Sequence, residues 1–167
     1  AAGMIYETAL TFGQSGAPDN PITIKAAAEP NHDGQISFFG GRQALLPYCG
    51  QAIYDDLPEG ALIPYAIETE DYDYIVLDGG HWQGIKIHGY GSGIRIDPGS
   101  RDLTFRYLEV FNNGTAELGP NGWESDQCGV CLGGKNITLQ RVIIHDNGQD
   151  AIQSLSGQNN IRNFRLE

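Results

Sequence analysis

Asn136-Ile-Thr-Leu-Gln-Arg-Val-Ile-Ile-His-Asp-Asn-Gly148 lies position for position over Asp102-Leu-Thr-Phe-Arg-Tyr-Leu-Glu-Val-Phe-Asn-Asn-Gly114, at a spacing of 136 − 102 = 34 residues. Apolar meets apolar throughout, and both copies close on Asn-Gly, a pair that tolerates the positive φ of a tight turn. Upstream of each copy is a short strand of alternating character, Gly93-Ile-Arg-Ile-Asp97 and Gly129-Val-Cys-Leu-Gly133. A third version, Ala151-Ile-Gln-Ser-Leu155, starts 151 − 129 = 22 residues after the second. A partial copy, Asn160-Ile-Arg-Asn-Phe-Arg-Leu-Glu167, follows. The unit is three short strands in about two dozen residues, and the wider spacing is the same unit carrying an insertion between Thr115 and Gln127.

Alternation with a period of two puts Ile94, Ile96, Leu103, Phe105, Leu108 and Val110 on one side of the chain. Val130, Leu132, Ile137, Leu139, Val142 and Ile144 are their equivalents, and these twelve are expected to stack inside the coil. The connectors are too short and Gly-rich for a crossover helix. Three strands per turn then return the chain to pair with itself one rung on, in parallel. The expected fold is all-β, a right-handed single-stranded parallel β-helix of about four coils with long surface loops and no major helix.

Followed backwards, Tyr74-Ile-Val-Leu-Asp-Gly79 and Gly84-Ile-Lys-Ile-His88 read as strands of one rung. Pro21-Ile-Thr-Ile-Lys25 and Gln35-Ile-Ser-Phe-Phe39 belong to a first coil over about 13–41. Residues 42–65 hold Pro47, Pro58 and Pro64 and break the period, so they read as a surface insertion, with regular coils over 66–167 of a single domain.

The composition narrows the partners. Ten Lys plus Arg against 21 Asp plus Glu give a net charge of −11, so a phosphate backbone or an anionic membrane is repelled. No apolar run approaches the roughly 18 residues of a membrane span. Cys49, Cys128 and Cys131 are an odd set without a dense framework, from which disulfides are not expected to hold the fold. Met4 follows Ala1-Ala2-Gly3 and reads as the native start, and no signal peptide is legible after it.

The phrases SGAPDNPITIKAAAEPNHDGQISFFGG (15–41), DYIVLDGG (73–80) and NITLQRVIIHDNG (136–148) resemble those of right-handed β-helix proteins of the pectate-lyase-like superfamily. That superfamily includes polysaccharide lyases and some glycoside hydrolases. Its members usually run several more coils behind an N-terminal helix, which this sequence lacks. The resemblance implies an extracellular or periplasmic setting, a polysaccharide partner, and a substrate groove along the outward side of the strand at Gly93–Asp97. Outward positions there are Arg95, Asp97, Cys131 and Gln153. The entering loops add His88 and Tyr90, the insertion adds Glu117, Trp123, Glu124 and Asp126, and the next turn adds His145, Asp146 and Asp150.

By analogy, lyase chemistry on a uronate polymer needs a cation and a base, for which Arg95, Lys86, His88 and His145 are the candidates. Trp123 would stack a sugar ring, with Tyr90, Glu124 and Gln153 as further substrate contacts. Asp126, Asp146 and Asp150 offer the oxygen ligands that Ca2+ takes. A hydrolase would instead use two carboxylates from neighbouring rungs, roughly 4.8 Å apart in strand spacing. Each feature also has a plainer account. His88 and His145, with Phe111 between them, read as a column of stacked rings; Asp146-Asn147-Gly148 reads as a turn; Arg95 and Asp97 read as a surface ion pair. Cys128 and Cys131 lack a second pair for zinc. An uncapped solenoid end implies self-association through that end, which makes a non-catalytic binding or structural module the rival to a carbohydrate-active protein.

Overall fold

The structure is a computed structural model describing residues 4–6, 9–26, 34–40, 65–80, 83–114, 128–155 and 161–167. The expected insertion at 42–65 falls outside the described residues except for Tyr65, and so do Cys49, Glu117, Trp123, Glu124 and Asp126.

The chain climbs in rungs of three strands. The first rung is β1 (Met4–Tyr6), β2 (Leu10–Thr11) and β3 (Ile22–Lys25), and the second is β4 (Ile36–Phe39), β5 (Tyr65–Glu68) and β6 (Ile75–Asp78). The third is β7 (Ile85–His88), β8 (Ser92–Arg95) and β9 (Arg101–Arg106), and the fourth is β10 (Leu108–Phe111), β11 (Val130–Leu132) and β12 (Lys135–Gln140). β13 (Ile143–His145), β14 (Ile152–Ser154) and β15 (Arg165–Leu166) make the fifth.

Every third strand pairs in parallel, giving three five-stranded sheets: β1-β4-β7-β10-β13 (first), β2-β5-β8-β11-β14 (second) and β3-β6-β9-β12-β15 (third). This is a parallel β-helix of five coils, where the sequence suggested about four. The added rung is built on β1 and β2, which are three and two residues long. The repeat read from the sequence is the pairing register. Leu103 lies beside Ile137, and Val130 beside Ile152.

Burial follows from that register. Ten of the twelve expected core residues are buried: Ile94, Ile96, Leu103, Phe105, Leu108, Val110, Val130, Leu132, Ile137 and Leu139. Each contributes about 1.5–3 kcal/mol for leaving water. Val142 and Ile144 are only partly buried, because β13 is the last strand of its sheet among the described residues and has a neighbour on one side.

Corners between sheets are made by single left-handed residues. Tyr107 (φ 55°) and Arg141 (φ 51°) turn the chain from the third sheet to the first, and Asn112 (φ 51°) and Asp146 (φ 51°) from the first to the second. Behind the latter corner Asn113 is buried, its amide donating to the Ile87 and Phe111 carbonyls while its oxygen accepts from the Tyr90 N–H. Asn147 repeats the arrangement one rung on, with the Val110 and His145 carbonyls. Gly79 is needed where it stands, since a side chain there would run into the Tyr107 carbonyl.

Cys128 and Cys131 are joined as a disulfide, a local bridge between residues three apart. Residues three apart on a regular strand face opposite ways. Cys128, however, sits in the bend before β11, and the bend brings the Cα atoms to 5.8 Å, within bridging range.

Candidate functional site

The outward positions of the second sheet form one column, a residue per rung: Thr11, Glu68, Arg95, Cys131 and Gln153. Parallel pairing sets such residues roughly 4.7–4.9 Å apart and holds their backbones rigid. Arg95 is the centre of the column. Its Nε donates to Asp97 Oδ1 at 2.9 Å and lies 3.5 Å from Glu68 Oε1. Its Nη1 donates to the Tyr65 hydroxyl at 2.7 Å, and its guanidinium carbon sits 5.0 Å from the centre of the Tyr65 ring.

The site is anchored from behind. Asp97 Oδ2 accepts from the Glu70 N–H at 2.9 Å, and the Asp97 N–H donates to Thr69 Oγ1, itself 2.7 Å from Ser100 Oγ in the interior. Partial burial and the negative charge of Asp97 hold the Glu68 carboxyl above its usual range, against the pull of Arg95. Burial works against the Arg95 charge, but the hydrogen bonds to Asp97 and Tyr65 outweigh it and fix the guanidinium in its charged form. The cluster therefore presents a permanent cation, a phenol and a carboxyl of raised pKa side by side, a set that both donates and accepts.

The first sheet carries a different arrangement on its outer side. Ser37, Lys86, Glu109 and Ile143 form one column, and Phe39, His88, Phe111 and His145 another. The expected ring stack is present and extends to Phe39, with centroids 4.9, 4.8 and 5.3 Å apart along the four rings. Glu109 is gripped from both sides, by Lys86 Nζ at 3.0 Å and His145 Nε2 at 3.2 Å, while His145 Nδ1 reaches Asp146 Oδ2 at 2.8 Å. Burial tends to raise the Glu109 pKa, but the hydrogen bonds from Lys86 and His145 prevail and hold it low. The Asp146 hydrogen bond raises the His145 pKa despite partial burial, with Glu109 assisting. His88 goes the other way: burial and the Lys86 charge lower its pKa, and Ser37 Oγ lies 2.9 Å from its Nε2.

The candidate residues are thus divided between two sheets. Arg95 and Gln153 lie on the second, whereas Lys86, His88 and His145 lie on the first and do not join Arg95. Tyr90 is no groove residue, for it is 0% exposed in the core, and burial pushes its hydroxyl up to about 12. Gly89, with φ 77°, turns the corner just before it, so the alternation of the strand does not carry across. Cys131 keeps its outward position but is fully covered, packed with Cys128 and Leu155. Asp146 is engaged with His145, and Asp150 sits in an exposed turn whose carbonyl accepts from the Gly129 N–H. Among the described residues no three His, Cys, Asp or Glu side chains gather as a metal site.

Tyr65, Glu68, Ser37 and Glu109 were not singled out in the sequence. Laying Gln35-Ile-Ser-Phe-Phe39 over Gly84-Ile-Lys-Ile-His88 would have paired Ser37 with Lys86 and Phe39 with His88. Comparison of the chain with protein-family models, curated proteins and solved structures finds no match in any of the three.

Proposed function

We propose that the protein is a carbohydrate-associated β-helix that binds a polysaccharide across the rungs of the second sheet, at the Tyr65–Glu68–Arg95–Asp97 cluster. The observation that carries this reading is the Arg95 guanidinium, which touches the Tyr65 phenol and the Glu68 carboxyl from the rung below and the Asp97 carboxylate of its own rung, in a side chain that is 27% exposed. Sugar hydroxyls are both donors and acceptors, and a prearranged group of both kinds lowers the ordering cost of binding. The phrases shared with the pectate-lyase-like superfamily support the same substrate class. Net charge favours a neutral glycan over an acidic one. Glu68, whose pKa is raised by partial burial and the charge of Asp97, is the carboxyl on which acid catalysis of glycosidic cleavage would draw.

The test is calorimetry of the parent, Arg95→Ala and Glu68→Gln proteins against a panel of neutral and uronate polysaccharides, with product formation followed by reducing ends and by the absorbance of unsaturated uronates. Binding by the parent that falls at least about tenfold in Arg95→Ala, some 1.4 kcal/mol, is the expected result. No binding by the parent to any polymer, or binding unchanged in both variants, would sink the proposal.

A second reading, a non-catalytic module that self-associates end to end, is favoured by one observation. Leu166 continues the inward column of Leu77, Phe105 and Leu139, yet is 63% exposed. A protein that sediments as a strict monomer at high concentration would contradict that reading.

A further inference from the structure

We propose that Ser37 and His88 form a nucleophile–base pair on the outer side of the first sheet, with the acyl group of a small carboxylic ester as substrate. The pair lies on a different sheet from the glycan cluster and stands independently of that reading. Ser37 Oγ and His88 Nε2 are 2.9 Å apart, which is hydrogen-bonding reach for a hydroxyl and the base that takes its proton.

Three features go beyond a chance contact. A catalytic imidazole is usually oriented by a carboxylate; here the ring is clamped by stacking, with Phe39 at 4.9 Å and Phe111 at 4.8 Å on its two sides. The clamp keeps Nε2 aimed along the neighbouring strand at Ser37. Burial beside Lys86 lowers the His88 pKa, with Glu109 on β10 opposing, so the ring is held in the neutral form that accepts a proton. Lys86 is the register partner of Ser37 on β7 and shares its outward column. Its ammonium has three N–H donors, of which the 3.0 Å contact to Glu109 uses one, so it is placed to stabilise negative charge developing on a carbonyl oxygen above Ser37.

The reaction balances with water as the only co-reactant. Ser37 Oγ attacks the ester carbonyl carbon as its proton passes to His88 Nε2. The C–O bond to the alcohol portion breaks, and the alcohol leaves with that proton. Water then attacks the acyl-serine, giving one proton to Nε2, and the carboxylic acid departs as Ser37 Oγ recovers the proton. Ser37 and His88 are only half-buried on a sheet surface, which suits a small acyl group rather than a long chain.

The full chain is treated with a fluorophosphonate probe and the labelled residue located by mass spectrometry, alongside hydrolysis of p-nitrophenyl acetate. Phosphonylation of Ser37 in the parent is expected, with no labelling in Ser37→Ala. Acetate hydrolysis should fall about 100-fold in Ser37→Ala and in His88→Phe, the scale of losing a general base. His88→Phe keeps an aromatic ring in the column, so its far-UV circular dichroism should match the parent. An unlabelled parent, a label on another residue, or hydrolysis by Ser37→Ala at the parent rate overturns the proposal. Labelling of a folded His88→Phe protein at the parent rate does so as well.

Discussion

The outer sides of the second and first sheets carry opposite charge patterns on the same scaffold. On the second, one cation, Arg95, lies between the carboxylates of Glu68 and Asp97; on the first, one anion, Glu109, lies between Lys86 and His145. Identical backbone geometry thus moves two glutamates in opposite directions, Glu68 up and Glu109 down. Both are partly buried, and burial raises both, so the sign is decided by the neighbours one rung away. A β-helix tunes a carboxyl by what the adjacent coil contributes at one register position.

Arg95→Ala is the sharpest way to break this contrast, since it leaves Asp97, 9% exposed, without its cation. A loss of about 2–3 kcal/mol is expected, the cost of an uncompensated buried charge discounted for the part-exposed guanidinium, read from urea unfolding. Phe111→Ala removes two stacked contacts from the other sheet, at 4.8 and 5.3 Å, and is expected to cost about 1–3 kcal/mol, with His88 and His145 no longer ordered in their ring resonances.

The pH dependences should then diverge. Because the folded pKa of Glu109 is lowered, its contribution is present above the unfolded value of about 4.3 and is lost as pH falls through the folded value. The folded pKa of His145 is raised, so its contribution is full below the unfolded value of about 6.5 and is lost as pH rises through the folded one. The stability difference between the parent and Glu109→Gln is therefore largest between those limits, near pH 5–6, and a flat difference across pH would refute the clamp. Glu68 has a raised folded pKa, so its favourable contribution fades as pH climbs through it, and Glu68→Gln should gain on the parent toward neutral pH. The smallest effect belongs to Lys86→Ala, below about 1 kcal/mol because Lys86 is substantially exposed and screened.

The coil was legible because its signal is local and repeated. Leu103 and Ile137 announce their pairing by period-2 alternation and by the shared Asn-Gly that follows each. β1 and β2 escaped notice because strands of three and two residues are too short for alternation to register. The Arg95 site was half legible. Asp97 is two residues away and was paired with it, but Tyr65 and Glu68 come from the rung below, at the margin of a Pro-bearing stretch that interrupts the period. Tyr90 was misjudged for a geometric reason: a left-handed residue at a corner resets which side of the chain faces inward.

The ring column on the first sheet has a consequence for what can rest on it. Its members lie nearly plane to plane, with interplanar angles of 29°, 13° and 3°, so their π faces are spent on one another. What they turn outward is rims, where the quadrupole of an aromatic ring is positive. The flat underside of a pyranose finds no platform there, whereas a carbonyl or carboxylate oxygen meets a line of C–H edges.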